Sequence, residues 1–269
     1  MDLGLAGKTA IISGGSKGIG RAIASELAAE GARVVIAARG KEALEDAVNA
    51  IRRAGGQAEG VVADMTDPEQ VNAAVAAATR AFGPPDIAIS NVDAPDAKPS
   101  RGYRVGFEDA TDADYAAAFD TLIMSVVHLT RAVIPAMKEK KWGRLLNVGT
   151  RAVKQPHAPP NQMILSNTAR LGVVGLMKTL SFELGQYNIT ANIIATGRFA
   201  TETAQGYFVT QGQSLEQQEA AMRKAGIGVC RLGRPEELAA LAAFLCSTRA
   251  SFINGETIAI TGGMQSTMF

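Results

Sequence analysis

The stretch Thr9-Ala-Ile-Ile-Ser-Gly-Gly-Ser-Lys-Gly-Ile-Gly20 decides how the rest of the chain is read. Its first five residues, with two adjacent isoleucines, read as a short buried strand. Glycines follow at Gly14, Gly15, Gly18 and Gly20, and Arg21-Ala-Ile-Ala-Ser-Glu-Leu-Ala-Ala-Glu30 is then a run of good helix formers. Strand, glycine turn and helix in succession make an anion site, because free backbone N–H groups and the positive end of the helix dipole converge on the turn. Glycines also let a pyrophosphate approach the backbone and let the helix pack closely on the strand. The candidate contacts are Gly14, Ser16, Lys17, Gly18, Ile19 and Gly20. Their spacing is Gly-x-x-x-Gly-x-Gly rather than the commoner Gly-x-Gly-x-x-Gly. Taken alone, the stretch also fits a plain tight turn.

Further along, strand and helix patterns alternate. Strands are expected at Arg33–Ala37, Ala58–Ala63, Asp86–Ser90, Arg144–Val148, Ile189–Ala195 and Thr257–Ile260. Helices are expected at Lys41–Ala54, from Pro68 to about Phe82, at about Asp112–Met137, at about Gln162–Gln186, and at Pro235–Cys246. Asp67 followed by Pro68 and Glu69 is a helix start, with Asp67 as the N-cap. Phe82, Phe119, Phe182 and Phe244 stand at apolar helical positions and are expected in the core. Alternation with short connections implies a parallel sheet covered by helices on both faces, with ligands outside the C-terminal ends of the strands. The fold class is therefore α/β: a single Rossmann-like domain over residues 1–269, with a seven-stranded, doubly wound parallel sheet. The stretch at about 196–230 is irregular, with some helical pattern.

Composition sets the outer limits. The 269 residues are 47% hydrophobic and 20% charged, and the formal net charge is +1. That balance suits a globular protein and argues for neither nucleic acid nor an anionic membrane surface as partner. No apolar run is expected to reach the roughly 18–20 residues of a membrane span, and the N-terminus lacks the pattern of a signal peptide. A cytoplasmic location is expected. Cys230 and Cys246 have no metal-like spacing, and with only His128 and His157 as histidines no metal site is expected. Cys246 is expected to be a buried free thiol.

These residues together resemble the short-chain dehydrogenase/reductase family over nearly the whole chain. The resemblance is carried by Ser13-Gly-Gly-Ser-Lys-Gly-Ile-Gly20, Asp64 after the third strand and Asn91 after the fourth. It continues through Ala132-Val-Ile-Pro-Ala-Met137, Gly143-Arg-Leu-Leu-Asn147, Ala191-Asn192, and Gly197 with Thr201. Arg234-Pro-Glu-Glu237, Asn254-Gly255 and Gly262-Gly263 complete it. The nearest likeness is to 3-oxoacyl-carrier-protein-reductase-like members. The resemblance implies a nicotinamide dinucleotide site in which Asp64 accepts from the adenine amino group, with Met65 beside it. Asn91 lines the nicotinamide half, Thr201 binds the carboxamide or pyrophosphate, and Gly197 belongs to the same cofactor site; the resemblance further implies that the stretch at about 196–230, with Met222 inside it, forms a lid over the substrate. NAD binders usually place an acid at the end of the second strand for the ribose hydroxyls. Here that position reads Ala37-Ala38-Arg39, and Lys17 lies in the glycine turn. Two cations and no carboxylate favour a 2′-phosphate, hence NADP(H) over NAD(H).

The resemblance also implies an Asn, Ser, Tyr, Lys catalytic set, and this chain departs from it at all four positions. Leu122 stands at the asparagine, Thr150 at the serine, and Ser166-Asn-Thr-Ala-Arg170 replaces Tyr-x-x-x-Lys. Thr150, Ser166 and Arg170 are the catalytic candidates, with Arg170 also placed to clamp the cofactor. Serine and arginine keep the one-turn spacing, so both face one side of the helix. Tyr103 and His157 are substitute proton donors to consider, and Arg101 and Arg104 border the same region. Three readings follow. The first is an oxidoreductase of carbonyl or alcohol substrates with a non-standard proton donor; the second is a non-catalytic dinucleotide-binding regulator; the third is a lyase or isomerase on the same fold. The family resemblance also implies a homotetramer assembled through the two long helices.

Overall fold

The computed structural model describes residues 1–92, 105–156, 163–202, 204, 214–224 and 228–267. Strands β1 (Thr9–Ser13), β2 (Arg33–Ala38), β3 (Gln57–Val62), β4 (Ile87–Ser90), β5 (Gly143–Thr150), β6 (Ile189–Thr196) and β7 (Thr257–Ile260) form one parallel sheet. Its order is β3-β2-β1-β4-β5-β6-β7. The expected doubly wound sheet is what the chain forms.

Alternation of side chains along each strand explains why both faces are covered. Ile12, Ile36, Ile89 and Leu146 enter one core; Ile11, Val35, Ala88 and Leu145 enter the other. The first core is closed by α1 (Gly18–Ala29), α2 (Lys41–Arg53) and the helix Pro235–Cys246, here α8. The second is closed by α3 (Pro68–Phe82), α5 (Ser125–Lys140) and α6 (Ile164–Leu184). Cys246 is fully buried in the first core, and burial pushes its thiol pKa up to about 12. It is a packing residue rather than a nucleophile.

The start of α3 forms as its sequence dictates. Asp67 accepts hydrogen bonds from the N–H groups of Glu69 and Gln70, and Pro68 occupies the first helical position. The fourth helix departs from expectation. α4 (Asp112–Phe119) passes through a π-turn, Asp120–Met124, directly into α5, and the whole runs to Lys140. Joined end to end, Asp112–Lys140 is long and apolar enough, by length and composition alone, to cross a membrane. This corrects the expectation that no apolar run reaches the length of a membrane span. In this fold Val126, Leu129, Val133 and Met137 of that helix are buried against the sheet and its neighbours.

A second correction concerns the aromatic rings. Phe82 and Phe244 pack against the two cores, but Phe182 is 79% exposed and Phe119 is 38% exposed. α6 carries apolar residues on two sides; Val173 and Met177 face the sheet, while Leu171 and Phe182 lie outside it.

β1 lies between β2 and β4, so the chain winds away from it in both directions. The crevice that this reversal opens lies at the C-terminal ends of β1 and β4, where open α/β sheets bind ligands. The glycine turn is at that spot.

Candidate active site and dinucleotide cleft

A cleft of about 960 Å³ runs along this edge of the sheet. Its walls hold Gly14, Ser16, Lys17, Gly18, Ile19, Arg39, Asp64, Met65, Asn91, Thr150, Ser166, Arg170 and Thr201. The structure thus gathers onto one surface candidates spread over some 190 residues of sequence. Gly20 and Gly197 are not on the walls. A Cβ on Gly20 would stand 2.2 Å from the Gly14 carbonyl oxygen and 2.6 Å from Asn91 Nδ2. A Cβ on Gly197 would stand 2.8 Å from Thr261 Cα. Both glycines serve close packing beside the cleft. Tyr103, His157, Arg101 and Arg104 lie outside the described residues.

The glycine-turn end is held by backbone. Gly14 has φ +65°, its N–H donates to Ala37 O at 2.9 Å, and a side chain there would run into Asn91 O at 2.3 Å. Asn91 donates from Nδ2 to Gly14 O at 3.1 Å and from its backbone N–H to Ser13 Oγ at 3.2 Å. Asn91 therefore fastens the turn to β4. Lys17 caps α1 in an extended conformation with no side-chain hydrogen bond, which leaves the first helical N–H groups for a ligand.

At the ends of β2 and β3, Ala37 and Ala38 are buried and Arg39 is exposed at the rim. Asp64 is the one carboxylate among the described residues on the cleft walls. Its Oδ1 accepts from the Thr66 N–H at 2.9 Å and from the Thr66 hydroxyl at 2.8 Å. Its own N–H donates to Gln70 Oε1 at 2.9 Å, so the side chain is fixed at the mouth. Met65, 5% exposed, closes the floor.

The other end is built from side chains on β5, α6 and the π-turn. Ser166 and Arg170 stand one turn apart on α6, and Arg170 Nε donates to Ser166 Oγ at 3.2 Å. Arg170 Nη1 reaches Val148 O at 3.4 Å, which draws the guanidinium across the end of β5. Thr150 Oγ1 accepts from Ala152 N–H at 3.3 Å, and Thr196 donates to Gly149 O at 2.8 Å. Leu122 is only 3% exposed and is not on the cleft wall. Burying such a side chain stabilises by about 1.5–3 kcal/mol, so the position serves the core. Its neighbour Thr121 lines the cleft instead. Sequence reading missed Thr121, Val92 and Met163; only the family position at 122 pointed near the first.

Just beyond paired Thr150 and Thr196 come Arg151 and Arg198. Burial first, and then the positive charge of Arg198, press the pKa of Arg151 below the usual guanidinium range. Arg198 Nη1 donates to Gln218 Oε1 at 3.3 Å on α7 (Leu215–Lys224). The expected lid is tied at its base: Ala200 N–H donates to Gly233 O at 2.8 Å and Gly233 N–H to Arg198 O at 3.0 Å. Met222 and Leu232 form a small apolar cluster of their own there. Thr201 sits over the glycine turn, 3.4 Å from where a Cβ on Gly18 would be, and its Oγ1 accepts from Ala204 N–H at 3.1 Å.

A family model described as enoyl-(acyl carrier protein) reductase matches residues 14–265. The chain belongs to the short-chain dehydrogenase/reductase family. It is 32% identical over 262 residues to the 3-oxoacyl-[acyl-carrier-protein] reductase of Vibrio cholerae serotype O1, covering 97% of this chain and 99% of that protein. It is 33% identical over 262 residues to dehydrogenase/reductase SDR family member 4 of Oryctolagus cuniculus, covering 97% and 95%. L-sorbose reductase from Gluconobacter frateurii, solved with NADPH and L-sorbose, superposes with a TM-score of 0.89 at 29% identity and full coverage of both chains. The relatives of this short-chain dehydrogenase/reductase are hydride-transferring oxidoreductases that act on small molecules, and the fold binds a nicotinamide cofactor. The residues present fit such a group. A glycine turn whose Cβ positions are blocked by Asn91 and Gly14, and uncapped helix N–H groups, suit the pyrophosphate of a dinucleotide.

Proposed function

We propose that this chain is an NADP(H)-dependent oxidoreductase of carbonyl or alcohol substrates in which Ser166 and Arg170 replace the usual tyrosine and lysine. The observation that carries this is the 3.2 Å hydrogen bond from Arg170 Nε to Ser166 Oγ, opening into the same cleft as the glycine turn. Lys17 and Arg39 would hold a 2′-phosphate, Asp64 the adenine, and the α1 N–H groups the pyrophosphate. Bound there, the nicotinamide supplies the hydride. The NADPH in the sorbose reductase structure supports the same preference.

Ser166 and Arg170 do the rest. Arg170 fills an acceptor position on the serine oxygen, which leaves the hydroxyl hydrogen for the substrate oxygen. A guanidinium beside that oxygen stabilises negative charge as it develops. The alkoxide formed by reduction is itself strongly basic, so a weak donor suffices. Thr150 would orient the substrate oxygen. The exposed stripe of Leu171 and Phe182 on α6 supports a homotetramer; a monomer by light scattering would count against that.

The burial of Leu122 favours a second reading, a dinucleotide-binding regulator without turnover. Transfer of label from 4-deuterated NADPH to a panel of ketones, aldehydes, quinones and 3-oxoacyl thioesters separates the two. A deuterated alcohol establishes the oxidoreductase. Bound NADPH with no label transferred moves the reading to the regulator, and substrate conversion without NADPH consumption to a lyase or isomerase.

A further inference from the structure

We infer that Thr196, with Thr150 beside it, selects substrates that carry a hydroxyl on the carbon next to the carbonyl. The inference rests on the oxidoreductase reading above and names the substrate class of that site.

Strand register brings the two threonines together. Thr150 ends β5 and Thr196 ends β6, and they are direct partners in the parallel ladder. Neighbouring strands lie about 4.8 Å apart, so one small molecule can span both residues. Each is half-buried, and each lines the cleft that also holds Ser166 and Arg170.

Their hydroxyls are alike in chemistry but fixed in opposite senses. Thr196 Oγ1 bonds to Gly149 O at 2.8 Å. A carbonyl only accepts, so the Thr196 hydrogen is committed there, and its oxygen is left to offer a lone pair. Thr150 Oγ1 is itself the acceptor, taking the Ala152 N–H at 3.3 Å. Its own hydrogen meets no acceptor among the described residues and remains to be donated. The register thus sets a donor and an acceptor side by side.

Ser166 and Arg170 add only donors. The guanidinium cannot accept, and Ser166 Oγ already accepts from Arg170 Nε at 3.2 Å, which leaves the serine hydrogen to be given. A ketone oxygen takes donors alone, so Thr150, Ser166 and Arg170 satisfy it. The Thr196 oxygen needs a hydrogen from the ligand, and a hydroxyl on the adjoining carbon supplies one. A plain ketone that displaces water from Thr196 leaves that oxygen unpaired, and an ether in place of the hydroxyl does the same. Leaving a polar group unpaired costs more than pairing it returns. Thr196 is therefore a specificity-determining residue.

Three ketones of similar shape test this: 1-hydroxybutan-2-one; pentan-3-one, in which a methyl replaces the hydroxyl; and 1-methoxybutan-2-one, which keeps the oxygen but loses its hydrogen. Binding is read by calorimetry on the protein loaded with oxidised NADP, and turnover by label transfer from 4-deuterated NADPH. The hydroxy ketone should exceed the other two about 10- to 100-fold in affinity and in kcat/KM. Valine keeps the shape of threonine and loses the acceptor, so Thr196→Val should shrink that ratio to less than about threefold. Thr196→Ser should restore it. Equal preference for pentan-3-one in the wild type overturns the substrate class and leaves the oxidoreductase reading standing. A preference that survives in Thr196→Val overturns it too, as does a hydroxy ketone that neither binds nor reacts. Weaker NADPH binding in Thr196→Val at an unchanged ketone ratio assigns the oxygen to the cofactor and sinks the inference. Selective binding of the hydroxy ketone that depends on Thr196, with no label passed to any of the three, upholds the subsite and breaks the oxidoreductase reading instead.

Discussion

The two ends of the cleft are made by different means. Around the glycine turn the contacts are backbone to backbone, or Asn91 to backbone, at distances that leave no room for a Cβ. At the β5–α6 end the wall is made by side chains, Ser166, Arg170, Thr150 and Thr121 on three separate elements, which bond to one another or to nearby backbone. A backbone cradle is dictated by chain path and resists change: almost any new side chain collides. A constellation of side chains changes by single substitutions while the fold is kept. On the function proposed above, this difference is why the dinucleotide end would keep the family's pattern while the chemical end departs from it.

The largest expected effect tests the side-chain end. Ser166→Ala should cut deuteride transfer about 10²–10⁴-fold while NADPH fluorescence still reports full binding. Equal turnover would place the proton donor elsewhere. Next comes the backbone end. Gly20→Ala drives a Cβ into Gly14 O at 2.2 Å; overpacking of this kind costs about 1–3 kcal/mol, and NADPH affinity should fall with the melting temperature. Gly40→Ala is its control: nothing lies within 4 Å of that Cβ position, so stability should shift by less than about 0.5 kcal/mol.

Smaller still is the change in cofactor choice. Arg39→Glu should weaken NADPH about 10- to 100-fold, the worth of one charge-assisted hydrogen bond, and leave NADH nearly unaffected. An unchanged ratio would remove Arg39 from the 2′-phosphate site. The smallest effect concerns pH at the lid base. The forked hydrogen bonds from Arg231, then the Arg234 N–H, hold Glu237 at about 2 against an ordinary 4.5. A depressed carboxylate stabilises above its unfolded pKa, and that contribution is lost as pH falls from about 4.5 through 2. In urea, Glu237→Gln should therefore unfold earlier than wild type at pH 6 and together with it near pH 2. A gap that persists at the lower pH would show that charge is not the cause.

Legibility in the sequence follows the same division. Glycines at 14, 18 and 20 and the adjacent isoleucines of β1 announce their own geometry, so the doubly wound parallel sheet and the glycine turn could be anticipated. The Asp67-Pro68 helix start was legible because its mechanism is local. The π-turn was not, since the apolar pattern of Asp112–Lys140 runs through it unbroken and only hydrogen-bond register reveals the extra residue. Thr121 was hidden for that reason. Phe182 misled because an apolar side chain on a helix marks a dry face without saying whether the sheet or another surface supplies it.

The clamp between Arg198–Ala200 and Gly233 bears on how such a protein diversifies. Because Phe199 and Gly233 pair as an isolated bridge, the intervening segment closes a loop whose ends are already together. Doubling such a loop costs only about 0.6 kcal/mol in closure entropy. A segment whose ends are so tied is expected to tolerate lengthening, shortening or exchange for a relative's without disturbing the strands beneath.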